Sequence, residues 1–308
     1  MVVAVSWSSL FEPGFFSSEP VHVALTVGAI TAVVSGIVGV FTVIRGQSFA
    51  GHALADIGTA GGSAAVLVGA STLYGFVAFN VVAAAVMELI GVRRPRGRDL
   101  ATGIVLGASL GLAALFLYED TVSSSTTGAT VNVLFGSIFT LPSGTAGVIA
   151  VLGVASVALI TVLYRPLLLS SVSSELAFAR RVPVRLVGAG YLMALALAVS
   201  MSAVTIGAVL STALLIGPAA TALRVTKRTG VAIAVAAAVG VVACWMGTLV
   251  AYDSTVWAGG NGWPVSFCIV AVLFAFYFGS GLIAHLSGSQ REPAASPGRG
   301  TVEPLEVG

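Results

Sequence analysis

Of 308 residues, 57% are hydrophobic and only 8% are Asp, Glu, Lys or Arg, with a mean hydropathy of +1.04. A soluble domain carries roughly 25% charge, so this balance excludes a soluble globular chain, and a formal net charge of +2 is too small to argue for nucleic acid. The apolar runs have the roughly 20-residue length of a membrane-spanning helix, whereas barrel strands are about 10 residues long and alternate in polarity. The expected fold is an all-α polytopic membrane protein of about 8–9 transmembrane helices with one short cytoplasmic helix between two of them.

Residues 1–21 carry no Lys or Arg, and Trp7, Phe11, Phe15 and Phe16 suit a membrane interface. This segment lacks the basic region of a signal peptide and reads as an extracytoplasmic, interfacial N-terminus. The transmembrane domain spans 22–286. Its spans fall at roughly 22–44, 48–70, 73–91, 99–118, 144–164, 184–201, 204–223, 230–252 and 264–286. His22 stands at the outer end of the first span, where it either greets an incoming ion or is simply interfacial. Small residues four apart (Gly28, Ala32 and Gly36, then Gly58 and Gly62, then Gly103, Gly107 and Gly111) read as faces for close helix packing.

The second span opens with Ser48-Phe49-Ala50-Gly51-His52-Ala53-Leu54-Ala55-Asp56-Ile57-Gly58. His52 and Asp56 are four apart and share one helix face. An Asp at bilayer depth costs roughly 2.5–3.5 kcal/mol. The pair is either a structural hydrogen bond or a metal or proton site, and function is favoured because ionisable groups in spans mark pathways. Imidazole suits zinc and carboxylate suits manganese at least as well, so the pair does not choose between them. Two ligands make a loose site, as a transit site should be. Further along, Asn80 reads first as an interhelical hydrogen bond and Glu88 as either a partner of nearby arginines or a pathway exit.

Between the fourth and fifth spans, 121–130 is a Ser/Thr/Gly-rich outer loop, and 131–139 is too short to span and lies at or dips into the outer surface. A cytoplasmic helix is expected around 174–183. Ser174 and Glu175 suit its start, Arg180 and Arg181 its last turn, and Pro183 stops it, leaving Leu176 and Phe178 as apolar knobs. Pro218, in the Gly207-to-Ala222 run, removes a backbone donor and is expected to kink or break its helix. Cys244 and Cys268 lie in apolar runs and imply no disulfide. The tail 287–308 is polar, bears Pro and Gly, and reads as a disordered cytoplasmic segment.

With these spans all fourteen Lys and Arg residues fall on one side, while Glu12, Glu19, Glu119, Asp120 and Asp253 fall on the other. The positive-inside rule then puts the N-terminus outside and the C-terminus in the cytoplasm of a cell-membrane protein. There is no G-x-x-x-x-G-K-[ST] motif, and Lys227 is the only lysine, so the chain has no P-loop of its own. No hydrolase motif is present, and the chain is not read as an enzyme.

Gly39 to Arg45, the His52/Asp56 motif, Gly97 to Ile104, Leu134 to Ile138, the segment from Glu175 to Val184 and above all Gly207 to Ala222 occur together in order. In these the chain, over about 22–283, resembles the permease subunit of the zinc/manganese/iron ABC importers. The family pattern in the second span is G-D-A-L-S-H-A. Here the same two residue types stand in reversed order, His52 first and Asp56 second, so no metal preference is carried over. The resemblance implies that His52 and Asp56 contact a transported divalent metal, zinc or manganese, with no permanently bound cofactor. It also implies that two permease copies form the pathway. A cytoplasmic ABC ATPase would dock on the helix bearing Glu175, Leu176, Phe178, Arg180 and Arg181, and an extracytoplasmic metal-binding protein would deliver the ion. A proton-coupled secondary transporter and a non-transporting structural or sensory subunit are the alternatives.

Overall fold

A computed structural model describes residue 15 and residues 18–91, 95–124, 128–136, 138–142, 144–172, 174–257 and 262–286. The tail, most of the N-terminal segment and part of the 121–130 loop lie outside the described residues. The chain is helical, and no strand occurs among the described residues. The helices are α1 (Glu19–Ile44), α2 (Ser48–Leu67), α3 (Thr72–Gly91), α4 (Pro95–Ser124), α5 (Gly128–Phe135), α6 (Thr145–Val172), α7 (Ser174–Ala179), α8 (Val184–Ile206), α9 (Ala208–Val225), α10 (Thr229–Trp257) and α11 (Val265–Leu286).

Eight of these are long and apolar enough to cross a membrane: α1, α3, α4, α6, α8, α9, α10 and α11. The ninth expected span is α2. Its 20 residues include His52, Asp56 and a run of Gly, Ser and Thr, which lower its hydropathy. It sits among α3, α4, α8 and α9, with twelve of its residues buried. A helix shielded by protein does not need the apolar surface that lipid demands.

Local geometry joins these helices. α1 ends in a Schellman turn: Gln47 N–H donates to Thr42 O and Gly46 N–H to Val43 O, with Gly46 at φ +63. Only glycine takes that conformation cheaply, and the turn starts α2 directly behind α1. α1 and α10 pack antiparallel on small residues. A Cβ at Gly36 would lie 2.9 Å from the Ala237 nitrogen, and one at Gly28 would lie 3.5 Å from the Cys244 Cβ. The same Gly-x-x-x-Gly spacing on α4 has no such use, since nothing stands within 4 Å of a Cβ at Gly103, Gly107 or Gly111. That expected packing face is open in the single chain.

These pairings gather the described basic corners at one end of the bundle. Arg45 at the end of α1 donates to Ser170 and Ser171 at the end of α6, and Glu88 near the end of α3 lies against Gly188 at the start of α8. The antiparallel α1–α10 contact brings the start of α10 to the same end.

α8 is the most enclosed span. Across it run three neutral polar links to two neighbours, α1 and α3: Tyr191 Oη to Thr42 Oγ1 (2.9 Å), Ser202 Oγ with Ser35 Oγ (2.8 Å) and Asn80 Nδ2 to Ser200 Oγ (2.9 Å). Thr42, Ser200 and Ser202 each donate back to a carbonyl of their own helix. At the end away from the arginines, α5 contacts α2, α4, α8 and α9. Val133 and Ile138, in the segment expected to dip, are buried.

One expectation is corrected. The helix does not break at Pro218, because α9 runs through it from Ala208 to Val225. The break lies at Gly207, at φ +87 and ψ 155. A side chain there would collide with the Leu134 carbonyl, and one at Gly136 would collide with the Gly207 nitrogen. Close approach of two backbones at positive φ, which only glycine permits, sets the break. Pro218 costs α9 one donor without ending it. α4 also continues to Ser124, beyond the expected end at 118.

Candidate functional site

α2 leaves the Gly46 turn and presents His52 one turn before Asp56, so both side chains emerge on one face. His52 Nε2 lies 3.5 Å from Asp56 Oδ2. His52 is 52% exposed and Asp56 18%. The other ring nitrogen, Nδ1, is 3.2 Å from Thr212 Oγ1 on α9. α9 comes this close because α2 has a notch: a Cβ at Gly51 would lie 2.8 Å from Leu215 Cδ2. On the other side of α9, Gly39 of α1 receives the Leu215 backbone carbonyl, where a Cβ would collide.

The arrangement offers an imidazole nitrogen and a carboxylate oxygen side by side at the chain's surface, with a hydroxyl behind the imidazole. These are ligand types for a borderline divalent transition metal. No cluster of three or more His, Cys, Asp or Glu occurs among the described residues. A single chain therefore supplies two such ligands at this point.

The remaining sequence candidates lie elsewhere. Asn80 is fully buried and bonded to Ser200. It packs on Gly58, where a Cβ would meet its Nδ2 at 2.8 Å. Gly58 follows Asp56 by two residues, about 200° round the helix, so Asn80 touches the far side of α2. Its Oδ1 has no hydrogen-bond partner among the described residues.

Glu88 lines a cavity of about 280 Å³ with Arg45, Gln47, Ser170 and Arg185 at the arginine end. It makes no ion pair among the described residues. The side chains of Arg93, Arg94, Arg96 and Arg98, which were its expected partners, lie outside those described. His22 is exposed near the start of α1, its carbonyl accepting from Thr26.

The expected short helix is α7, packed on α6 and α8. It closes in a Schellman turn with Arg181 at φ 53, Val182 N–H donating to Ala177 O. Ala177 is buried, Leu176 is 48% exposed, and Arg180 and Arg181 are exposed. The side chains of Glu175 and Phe178 lie outside those described.

Sequence reasoning did not find Thr212 or the Arg45 node. Arg45 bonds Gln47, Ser170 and Ser171 and lies 5.0 Å from the Tyr191 ring centre. Thr212 lay inside the Gly207-to-Ala222 run, but its contact with His52 spans 160 residues of sequence.

Residues 17–283 match the ABC 3 transport family. The chain is 28% identical over 177 residues to the manganese transport system membrane protein MntC of Halalkalibacterium halodurans, covering 57% of this chain and 59% of that one. It is 30% identical over 176 residues to the manganese import system permease protein ScaB of Streptococcus pneumoniae, covering 57% and 60%. The matches thus span about three-fifths of these relatives' own length. In fold, the chain superposes on a chain of PsaBC from Streptococcus pneumoniae in complex with Fab, with a TM-score of 0.75, 23% identity, and coverage of 89% of this chain and 98% of that one.

Proposed function

The chain belongs to the ABC 3 transport family, and from that membership we propose that it is the membrane permease subunit of an ATP-driven importer of divalent transition-metal ions, zinc or manganese. The observation that carries this reading is the His52–Asp56 pair, set on a protein-shielded helix yet half open at the chain's surface. His52 and Asp56 hold the ion in transit. Two ligand atoms about 2.1 Å from one ion and 3.5 Å apart subtend about 110° at it, near the tetrahedral angle. Two ligands per chain bind loosely, which suits an ion that must leave again.

A second permease copy supplies the rest. Two copies meeting about a twofold axis at this face bring two imidazoles and two carboxylates to one ion and cover the exposed His52. Manganese in the names of MntC and ScaB supports manganese as the cargo. The chain has no P-loop, so ATP hydrolysis resides on a separate ATPase, and the exposed Leu176 of α7 supports that helix as its dock. The end bearing Arg45, Arg180 and Arg185 faces the cytoplasm by the positive-inside rule, and a metal-binding protein delivers the ion at the opposite end.

Reconstitution of the permease with its ATPase and binding protein in vesicles tests this, with radioactive manganese and zinc as cargo. His52→Ala and Asp56→Ala are expected to lose ATP-driven uptake while the complex still assembles. Normal uptake by both rejects the site, and uptake that persists without ATP and follows a pH gradient rejects the class. Leu176→Glu is expected to weaken ATPase co-purification or to leave ATP hydrolysis running without uptake. Unchanged coupling rejects α7 as the dock.

A further inference from the structure

We infer that Thr212 is a positioning residue of the transit site, holding the His52 ring with Nε2 toward Asp56 and pairing Nδ1–H once Nε2 ligates the ion. The inference rests on the proposed role of His52 and Asp56. A His beside an Asp has a way of disabling itself: an Nε2–H proton donated to the carboxylate closes the pair and occupies both ligand atoms. A metal ligand needs a lone pair at Nε2, so in the ligated state the proton sits on Nδ1, and a partner that can accept it there favours that state. Here that partner is the Thr212 hydroxyl, 3.2 Å away, while Nε2 is the nitrogen turned to Asp56 at 3.5 Å. The hydroxyl can accept the Nδ1–H bond or donate to an unprotonated Nδ1, so it holds the ring in either tautomer and pairs the Nδ1 proton when Nε2 ligates.

Two further observations show that this contact is built into the packing. The first is register. Leu215, one turn beyond Thr212, fills the notch at Gly51, the residue before His52, and its carbonyl is seated on Gly39. α9 is therefore fixed against both α1 and α2 at the level where Thr212 meets the ring. The second is the hydroxyl's own bonding. Ser and Thr within helices commonly donate to a carbonyl of the preceding turn, and on α9 Ser211 and Thr221 do so. Among the hydrogen bonds of the described residues, Thr212 pairs with His52.

The test uses the full complex. Thr212→Val removes the hydroxyl at constant shape, and Thr212→Ser restores it. The chain has three histidines, so ring-nitrogen NMR of the ¹⁵N-His complex reads His52 by subtraction of His52→Ala. Thr212→Val is expected to shift the His52 ring-nitrogen signals and to lower the uptake of radioactive manganese about tenfold, the lower range for loss of a ligand's hydrogen-bond partner. Thr212→Ser is expected to recover both. Unchanged NMR signals and uptake in Thr212→Val, or a Ser variant that behaves like Val, overturn the inference. If His52→Ala itself transports normally, the transit-site reading falls instead, and the ring-nitrogen signals still decide whether Thr212 orients the ring.

Discussion

Around α8, Tyr191, Ser200, Ser202 and their partners Thr42, Asn80 and Ser35 are buried, neutral and bonded from helix to helix. Beside α9, α2 carries the ionisable His52 and Asp56, and His52 keeps half of its surface exposed. Both sets lie among membrane-crossing helices, so the apolar surroundings alone do not explain the difference. An interhelical hydrogen bond in a membrane protein contributes about 0.6 kcal/mol on average, and neutral hydroxyls with a carbonyl of their own helix behind them are inexpensive to bury. An Asp costs several times more, and a 3.5 Å approach to a half-exposed His returns little of that. The α8 links hold helices together, whereas the His52–Asp56 pair returns no comparable stability, which supports the proposed transit role.

The sharpest way to break this contrast is Asp56→Leu. Replacing a costly ionisable group by an apolar one is expected to abolish uptake while raising the stability of the complex by about 1–3 kcal/mol. Measurement of transport beside thermal unfolding checks both signs, and a destabilised variant would make the pair structural after all. Next in size is Asn80→Ala, which removes the bond to Ser200 and leaves a gap against Gly58. About 1–2 kcal/mol of stability should be lost with uptake within twofold of the parent. A large transport defect in a stable Asn80→Ala complex would move Asn80 from the structural set to the pathway. Tyr191→Phe removes the bond to Thr42 and is expected to cost about 0.5–1 kcal/mol with transport intact. The smallest effect belongs to Gly107→Leu. Nothing lies within 4 Å of a Cβ there, so the fold of the single chain should be unchanged, and a lost monomer fold would show that the face is packed.

Much of this was legible in the sequence. The eight long apolar helices among the described residues and the shared face of His52 and Asp56 follow from hydropathy and from spacing by four. The start of the short α7 at Ser174 follows from the sequence, but its end does not: it closes at Ala179 through the Arg181 turn, so Arg180 and Arg181 lie past its last turn and Pro183 precedes α8 instead of stopping α7. What was not legible depends on which surfaces meet. Small residues four apart occur on α1, as Gly28, Ala32 and Gly36, and again on α4, as Gly103, Gly107 and Gly111, yet only the first set receives a neighbour. Pro218 is a local signal for a break, but the break lies at Gly207, where the backbone just past α5, 71 residues earlier at Gly136, makes its close approach. Thr212 is one hydroxyl among many until α9 is seated in the Gly51 notch.

The central claim is that an ion in transit is held by His52 and Asp56. Anomalous scattering from manganese in the assembled complex, trapped with its cargo enclosed, tests it most directly. The account predicts a peak about 2–2.3 Å from His52 Nε2 and from an Asp56 carboxylate oxygen. A manganese peak elsewhere along the bundle, with both side chains unligated, would contradict it.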